Sequence, residues 1–176
     1  CLDREDAELK THAAGALWSL AIDDENQKAI REAGGIAKLS ECLDSTDAGV
    51  KLQVAGALCR LAQDADNRTE IREAGGIAKL SECLDSTDTE LRRNAAGALL
   101  NLAINDENKK AIRDAFGILP LVACLDSTDT ELKRNAAGAL WTLAEDNENK
   151  NAIQEAGGIE KLVACLDSED AELKTH

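Results

Sequence analysis

Apolar residues recur along the chain at the spacing of one helix face, with polar residues between them. The segment 87–103 shows the pattern clearly. Its apolar face carries residues at the i, i+4, i+7, i+8 and i+11 positions: Leu91, Ala95, Ala98, Leu99 and Leu102. No segment alternates with a period of two, the pattern of a half-buried strand. The sequence therefore predicts an all-α protein with a helix over 87–103.

Polar residues mark where this helix and the next one begin. Thr87 and Glu90 predict a capping box with Thr87 as the N-cap and Glu90 at N3. Asn105 and Asp106 predict the N-cap of a short helix that runs through Ile112. Both signals place a polar acceptor just before an apolar run, where the first backbone N–H groups of a helix lack partners.

Glycine and proline predict the end of that short helix and the start of a third one. The stop falls near Phe116-Gly117, where the other units carry a Gly-Gly pair, a C-cap signal. A second short helix is predicted over Leu119–Leu125, since Pro120 is tolerated in a first helical turn. Each unit is therefore predicted to contain one long and two short helices.

This three-helix pattern recurs every 41 residues without insertions, as the interval between Gly15 and Gly56 shows. Four full units cover 1–41, 42–82, 83–123 and 124–164, and a partial unit covers 165–176. Such regularity is typical of a recent duplication or of a designed or consensus-type sequence.

Stacking is required because a 41-residue unit of three helices cannot bury its apolar face alone. The sequence therefore predicts one solenoid domain over 1–176. A long helix is expected at about 5–21, and the start of another at about 169–176. The segment 165–176 is expected to fray unless a neighbouring chain covers it.

The phrases NAAGALLNLA (94–103), ENKKAIRDA (107–115) and GILPLVACLDS (117–127) resemble the armadillo repeat. The resemblance extends over the whole chain as four copies at the same 41-residue spacing. Its AAGAL motif is more similar to that of beta-catenin than to that of the importin alphas. It implies a right-handed superhelical α-solenoid in which the longest helix, third by convention, lines a concave groove. It also implies a non-enzymatic scaffold that binds an extended peptide or protein segment in that groove.

One face of the long helix is predicted to line the groove. At about 100° per residue, positions 8, 11, 15, 19 and 22 of the first unit lie within roughly 40° of one line, and 12 and 18 flank it. The opposite face is the predicted core, with Leu9, Ala13, Leu17 and Leu20 in the first unit. We call positions that are 41 residues apart, and so equivalent between units, a column. The candidate groove residues come from the columns that vary between units, and they are His12, Trp18, Ser19, Gln53, Arg60, Arg93, Asn94, Asn101, Arg134, Asn135, Trp141 and Thr142.

Two interpretations of this variation stay open. A recognition surface needs variable side chains on a fixed frame, but any exposed column can vary. The short helices also vary, at Gln27, Arg68, Lys109 and Lys150. The two tryptophans likewise either anchor a ligand as hot spots or lie flat over the neighbouring unit.

The armadillo resemblance implies an asparagine column that binds peptide backbone amides. Only Asn101 keeps asparagine there, since Ser19, Arg60 and Thr142 occupy the other units. Glycine takes the tryptophan column of the importin alphas. Nuclear-localisation signals of the importin type are therefore not the expected ligand.

Charge excludes some partners but does not decide the ligand. The net charge of −14, from 20 basic and 34 acidic residues, argues against nucleic acid and anionic membrane. The acidic residues lie largely in the turns and favour a basic partner. By contrast, Arg60, Arg93 and Arg134 favour an acidic or carbonyl-rich peptide. No apolar run reaches the roughly 18–20 residues of a membrane helix, and no signal peptide is visible.

The cysteines and histidines predict no metal, cofactor or catalytic site. Five of the six cysteines share one column beside core leucines, with an expected spacing of about 10 Å that is too long for disulfides. They are interpreted as buried thiols of a reducing, cytoplasmic compartment, whereas Cys59 is expected to be exposed. His12 and His176 lie at opposite ends of the chain. The protein is therefore predicted not to be an enzyme.

A second hypothesis is a structural or engineered array without a selected ligand. Neither end of the chain carries a recognisable polar capping repeat, which solenoids generally need for solubility. This hypothesis predicts a homo-oligomer that forms through the uncapped ends.

Overall fold

The computed structural model describes residues 2–167, with side chains from residue 6 onward. Every regular element in that range is an α-helix, so the all-α prediction is confirmed. The helices follow one another as α1 (Leu2–Leu20), α2 (Asp24–Glu32), α3 (Gly35–Cys42), α4 (Ala48–Leu61), α5 (Ala65–Glu73), α6 (Gly76–Cys83), α7 (Thr89–Leu102), α8 (Asp106–Asp114), α9 (Ile118–Cys124), α10 (Thr130–Leu143), α11 (Asn147–Glu155) and α12 (Gly158–Leu166). The predicted helix at 169–176 and His176 lie outside the described residues.

An aspartate N-cap precedes each of the long helices α4, α7 and α10. Asp88 caps α7 and accepts the backbone N–H groups of Glu90 at 2.9 Å and Leu91 at 3.0 Å. The predicted capping box on Thr87 is therefore wrong. The hydroxyl of Ser86 accepts the N–H of Asp88 at 3.1 Å, which fixes the turn one residue later. An ionised carboxylate is also the stronger acceptor and suits the positive end of the helix dipole.

A left-handed residue separates the two short helices in each of the four repeats, and in three of them it is glycine. Gly34, Gly75 and Gly157 adopt φ values between 71° and 73°. Phe116 takes this position in the third repeat, with φ 56°, and the helix before it still ends at the predicted stop. A side chain in this region costs about 1–2 kcal/mol. The packing of the repeat therefore imposes the turn on a residue that does not favour it.

The long helices stack side by side in chain order, α1 on α4, α4 on α7 and α7 on α10. The short helices pack against them, which gives an α-solenoid. The predicted core leucines of the second to fourth repeats are at most 1% exposed: Leu58, Leu61, Leu99, Leu102, Leu140 and Leu143.

The first repeat departs from the predicted core. Leu9 is 68% and Leu20 is 49% exposed, Ala13 is exposed, and Leu17 is half-buried. The equivalent residues of later repeats are covered by the repeat before them, whereas no described helix precedes α1. At the other end, Ile159, Val163 and Leu166 of α12 are exposed.

Candidate binding face on the long helices

All candidate groove residues lie on α1, α4, α7 and α10, and we call the surface they form the long-helix face. None of these residues is fully buried. His12, Ser19, Arg134 and Trp141 are exposed, and the others are half-buried.

One column of the long-helix face packs on a glycine of the following repeat. The ring of Trp18 lies 2.6 Å from where a Cβ on Gly56 would stand, and the Sγ of Cys59 lies 3.0 Å from that position on Gly97. Any larger residue at these glycines would displace the incoming side chain. Trp18 therefore lies over the neighbouring repeat. Trp141, in the same column, is 80% exposed.

The thiol of Cys59 is not the exposed group that the sequence predicts. Cys59 is half-buried beneath Gly97, and the amide of Asn101 approaches its Sγ at 4.0 Å. Burial raises the pKa of Cys59 to about 11, so the thiol is protonated at neutral pH.

Three asparagines of the long-helix face bond to the preceding long helix. The Nδ2 of Asn101 donates to the carbonyl of Cys59 at 2.9 Å, and that of Asn135 to the carbonyl of Arg93 at 3.2 Å. Asn94 makes the equivalent, weaker contact to the carbonyl of residue 52 at 3.5 Å.

The oxygens of these amides remain available. Within the described residues, the fully buried side-chain atoms without a partner are Ser40 Oγ, Arg60 Nε and Arg92 Nε. The Oδ1 atoms of Asn94, Asn101 and Asn135 accept no hydrogen bond there and are not among those buried atoms. Each one therefore reaches solvent as an acceptor, with its orientation fixed by the bond from its own Nδ2.

The three arginines of the face have different surroundings. Arg93 donates to both oxygens of Asp129, at 3.3 Å and 2.6 Å, and contacts Glu131 at 3.4 Å. The bond from Arg93 lowers the pKa of Asp129 below its ordinary value of 3.8. Arg60 and Arg134 form no ion pair within the described part of the chain, and the Nε of Arg60 is buried without a partner.

The hydroxyls of the face bond within their own helices. Ser19 donates to the carbonyl of Gly15 and Thr142 to that of Gly138, each at 3.1 Å. Gln53 places its Oε1 3.0 Å from where a Cβ on Gly15 would stand. This side chain therefore also packs across the junction between repeats.

Sequence reasoning missed a buried network on the first short helix of each repeat. Asn67, Asn108 and Asn149 are 0% exposed. Asn108 donates to the carbonyls of Leu102 at 3.1 Å and Arg68 at 3.3 Å. The detectable signal was an asparagine that recurs unchanged every 41 residues, which is unusual for a solvent-facing position.

An arginine from the preceding repeat reaches each of these asparagines. Arg31 donates to the Oδ1 of Asn67 and Arg113 to that of Asn149, both at 2.9 Å. We call this set of contacts the Arg–Asn ladder. Its full membership is Arg31, Arg72, Arg113, Asn67, Asn108 and Asn149.

Two positions regarded as variable surface are in fact buried. Gln27 is 3% and Lys109 is 6% exposed. Lys109 bonds to Glu145 of the next repeat at 2.5 Å and to Asp106 at 2.9 Å, and these bonds raise the pKa of Lys109. At the equivalent position of the other repeats, Arg68 is half-buried and Lys150 is exposed, so the surroundings of this position differ between repeats.

No group of three or more His, Cys, Asp or Glu side chains within residues 6–167 could hold a metal ion. Among the described helices, none combines the length and the apolar character that crossing a bilayer requires.

Comparison with known proteins identifies the repeat. The family model for the armadillo/beta-catenin-like repeat matches residues 23–63, 64–104, 105–145 and 146–176. It keeps the 41-residue period and begins each repeat at the first short helix. No curated protein matches the chain.

Solved structures of engineered proteins share the fold. A crystal structure of an engineered protein is 41% identical with a TM-score of 0.89, over 96% of this chain and 70% of that one. A computationally designed armadillo repeat protein for modular peptide recognition is 29% identical with a TM-score of 0.86, over 92% and 69%. A designed armadillo repeat protein in complex with the peptide (KR)4 is 26% identical with a TM-score of 0.86, over 95% and 72%.

Proposed function

The chain belongs to the armadillo/beta-catenin-like repeat family, and we propose that its long-helix face binds an extended peptide without catalysing a reaction. The observation that carries the proposal is the set of solvent-facing Oδ1 atoms on Asn94, Asn101 and Asn135. The family is generally non-enzymatic, and a designed neighbour was solved with a peptide bound. Neither nucleic acid nor a membrane surface is expected as a partner, because the net charge is −14.

The proposed contacts are main-chain hydrogen bonds. An extended peptide presents its N–H groups to alternating sides, so every second N–H faces the long helices. The Oδ1 of Asn101 and that of Asn135 accept such groups in successive repeats. Their amides are already oriented by bonds to the preceding helix, so little side-chain freedom is lost when a peptide binds.

Side chains of the face set the peptide's preference. Arg134 is exposed and lacks an ion pair within the described residues, as does Arg60, whereas Arg93 is already neutralised by Asp129 and Glu131. We therefore expect an acidic side chain opposite Arg134, the reverse of the charge of (KR)4. Trp141 offers an apolar anchor about two helix turns further along α10.

The test is a selection from a random library of extended dodecapeptides, followed by affinity measurements with the enriched synthetic peptides. We expect Asn101→Ala and Asn135→Ala each to weaken binding about tenfold, the effect of one lost hydrogen bond. Lys110→Ala is the matched control, since Lys110 is exposed on α8, away from the long-helix face. If no peptide is enriched, or the asparagine variants bind as the control does, the proposal is wrong.

Ligand charge is tested separately with blocked (DE)4 and (KR)4 octapeptides at physiological ionic strength. We expect (DE)4 to bind and Arg134→Ala to weaken it, because the variant removes the unpaired guanidinium. Tighter binding of (KR)4 that is insensitive to Arg134→Ala would contradict the acidic preference and leave the hydrogen-bonding proposal standing.

We also propose a reducing, cytoplasmic location. Cys42, Cys59, Cys83 and Cys124 are free thiols, and burial raises the pKa of Cys59 and Cys83 to about 11. Microscopy of a fluorescently tagged chain tests this, and secretion or an organellar signal would contradict it.

A second candidate function is end-to-end association of identical chains. It is supported by the exposed Leu9 and Leu20 at one end of the described solenoid and by Ile159, Val163 and Leu166 at the other. Light scattering over a concentration series should then show dimers or longer species, and Leu9→Glu should dissociate them. A monomer at every concentration would exclude this association.

A further inference from the structure

A lysine on the second short helix links neighbouring repeats at two junctions. The ammonium of Lys79 donates to the Oδ2 of Asp44 at 2.6 Å and to the carbonyl of Ser40 at 3.0 Å. The ammonium of Lys161 donates to the Oδ2 of Asp126 at 2.6 Å. Each of these two junctions therefore holds one ammonium group at an aspartate that follows the second short helix of the preceding repeat.

Pro120 takes the place of this lysine in the third repeat, so the ammonium site there has no lysine of its own. A cleft of about 580 Å³ opens at this place between α6 and α9. Its lining includes Ser81 and Asp85, the counterparts of Ser40 and Asp44 in the neighbouring junction. Asp85 and the adjacent Glu82 form no ion pair within the described part of the chain.

The same cleft has an apolar wall that the other repeats lack. Phe116 is 85% and Leu119 is 63% exposed, and both line the cleft. Their counterparts in the second repeat are Gly75 and Ala78. Large exposed apolar side chains grouped at one place are typical of interaction sites. In the third repeat, an aspartate without the usual lysine partner therefore lies in the same cleft as two exposed apolar side chains.

We infer that the α6–α9 cleft, lined by Ser81, Glu82, Asp85, Phe116, Leu119 and Pro120, binds a lysine of a partner protein segment that carries an apolar residue beside it. The partner's ammonium occupies the position that Lys79 takes at the preceding junction, between the carboxylate of Asp85 and the carbonyl of Ser81. The neighbouring apolar side chain packs on Phe116 and Leu119. The net charge of −14 attracts such a basic segment.

This site is separate from the long-helix face, because it lies on the second short helices α6 and α9. A peptide bound on α4, α7 and α10 does not need these residues. The two proposals can therefore fail independently, and a variant that removes one leaves the other intact.

The experiment is a selection of random decapeptides on the unmodified chain, with soluble Pro120→Lys protein as competitor. Lysine at 120 supplies the missing ammonium from within the chain and fills the cleft, as Lys79 does next to Asp44. We expect the surviving peptides to share a lysine next to Leu, Ile or Phe. Their synthetic versions should bind Pro120→Lys at least tenfold more weakly, and acetylation of the peptide lysine should cause a similar loss.

Two further variants complete the test. Phe116→Gly removes the apolar wall at a position where the other repeats carry glycine, so it should fold normally and weaken binding several-fold. Arg134→Ala changes only the long-helix face and should bind the peptides unchanged. The inference is overturned if no peptide survives the competition, if survivors lack lysine, or if Phe116→Gly and Pro120→Lys bind as tightly as the unmodified chain.

Discussion

Two sets of asparagines bond across the repeats, and the fold uses them differently. In the Arg–Asn ladder, Asn67, Asn108 and Asn149 are 0% exposed, and their oxygens accept from an arginine. On the long-helix face, Asn101 and Asn135 bond through Nδ2 and leave Oδ1 open to solvent. A buried amide must find its partners inside the protein, whereas a half-buried one can keep an acceptor for a ligand. The two sets therefore share a residue type and differ in their burial and in the partners of their oxygens. Those two properties distinguish an asparagine that stabilises the fold from one that can bind a ligand.

The largest expected effect tests the ladder side of this comparison. Asn108→Ala removes one hydrogen bond from each of three groups, the carbonyls of Leu102 and Arg68 and the guanidinium of Arg72. We expect the free energy of unfolding in urea to fall by about 2–3 kcal/mol, because a fully buried side chain that makes three hydrogen bonds is lost.

Asn26→Ala is the matched control for Asn108→Ala. Asn26 occupies the same column in the first repeat, is half-buried, and makes no side-chain hydrogen bond within the described residues. Its loss should cost less than about 0.5 kcal/mol. Equal losses for the two variants would show that the ladder contacts contribute nothing beyond helix propensity.

The cation of the ladder should have the next largest effect. Arg113 is 20% exposed and contacts Asp146 at 3.1 Å, Glu148 at 2.6 Å and Asn149. Arg113→Ala should lower the free energy of unfolding by about 1–2 kcal/mol. Gln154→Ala in the same column of the fourth repeat, where the side chain is exposed, should change it by less than about 0.5 kcal/mol. If Arg113→Ala lowers the free energy of unfolding by less than about 0.5 kcal/mol as well, the arginine does not contribute to the stability of the ladder.

The Arg93–Asp129 pair predicts a pH dependence on the long-helix face. The folded-state pKa of Asp129 is lowered, chiefly by the bond from Arg93, so its ionised form stabilises the fold above about pH 4. That stabilisation is lost as the pH falls through the lowered pKa. Arg93→Ala should therefore cost about 1 kcal/mol in urea unfolding at pH 7 and progressively less below pH 4. A cost that is constant from pH 7 to pH 3 would rule out the ion pair as its cause.

The smallest expected effect concerns the stability of Asn135→Ala. Its half-buried bond of 3.2 Å to the carbonyl of Arg93 should contribute about 0.5–1 kcal/mol. Thermal unfolding of Asn135→Ala and Asn108→Ala side by side gives the comparison directly. If Asn135→Ala destabilises the chain as much as Asn108→Ala does, the long-helix asparagines are structural as well.

Periodicity along the chain was enough to predict most of the fold. The helix pattern and its 41-residue period placed Leu99 and its equivalents in the core, and the glycine pairs placed the helix stops. These features depend on residues within one unit. The N-cap of α7 was missed because Thr87 and Asp88 both suit a cap, and the bond from the Asp88 N–H to Ser86 decides between them.

The candidate site was less predictable because its environment comes from other repeats. Lys109 looks like a surface lysine until Glu145 of the next repeat is placed beside it. Trp18 and Trp141 share a column, yet only Trp18 has the glycine of a described following repeat against it. A sequence pattern defines the column, whereas burial depends on which neighbour is present.

The glycine that receives each junction side chain makes the repeats exchangeable modules at this contact. The incoming group is an indole in Trp18, a thiol in Cys59 and an isobutyl group in Leu100, yet the receiving residue is glycine each time. Because the same glycine accommodates side chains of different size, this contact does not determine the order in which repeats follow one another. Shuffling or inserting repeats would preserve it, and the array could lengthen by duplication without a new junction having to evolve.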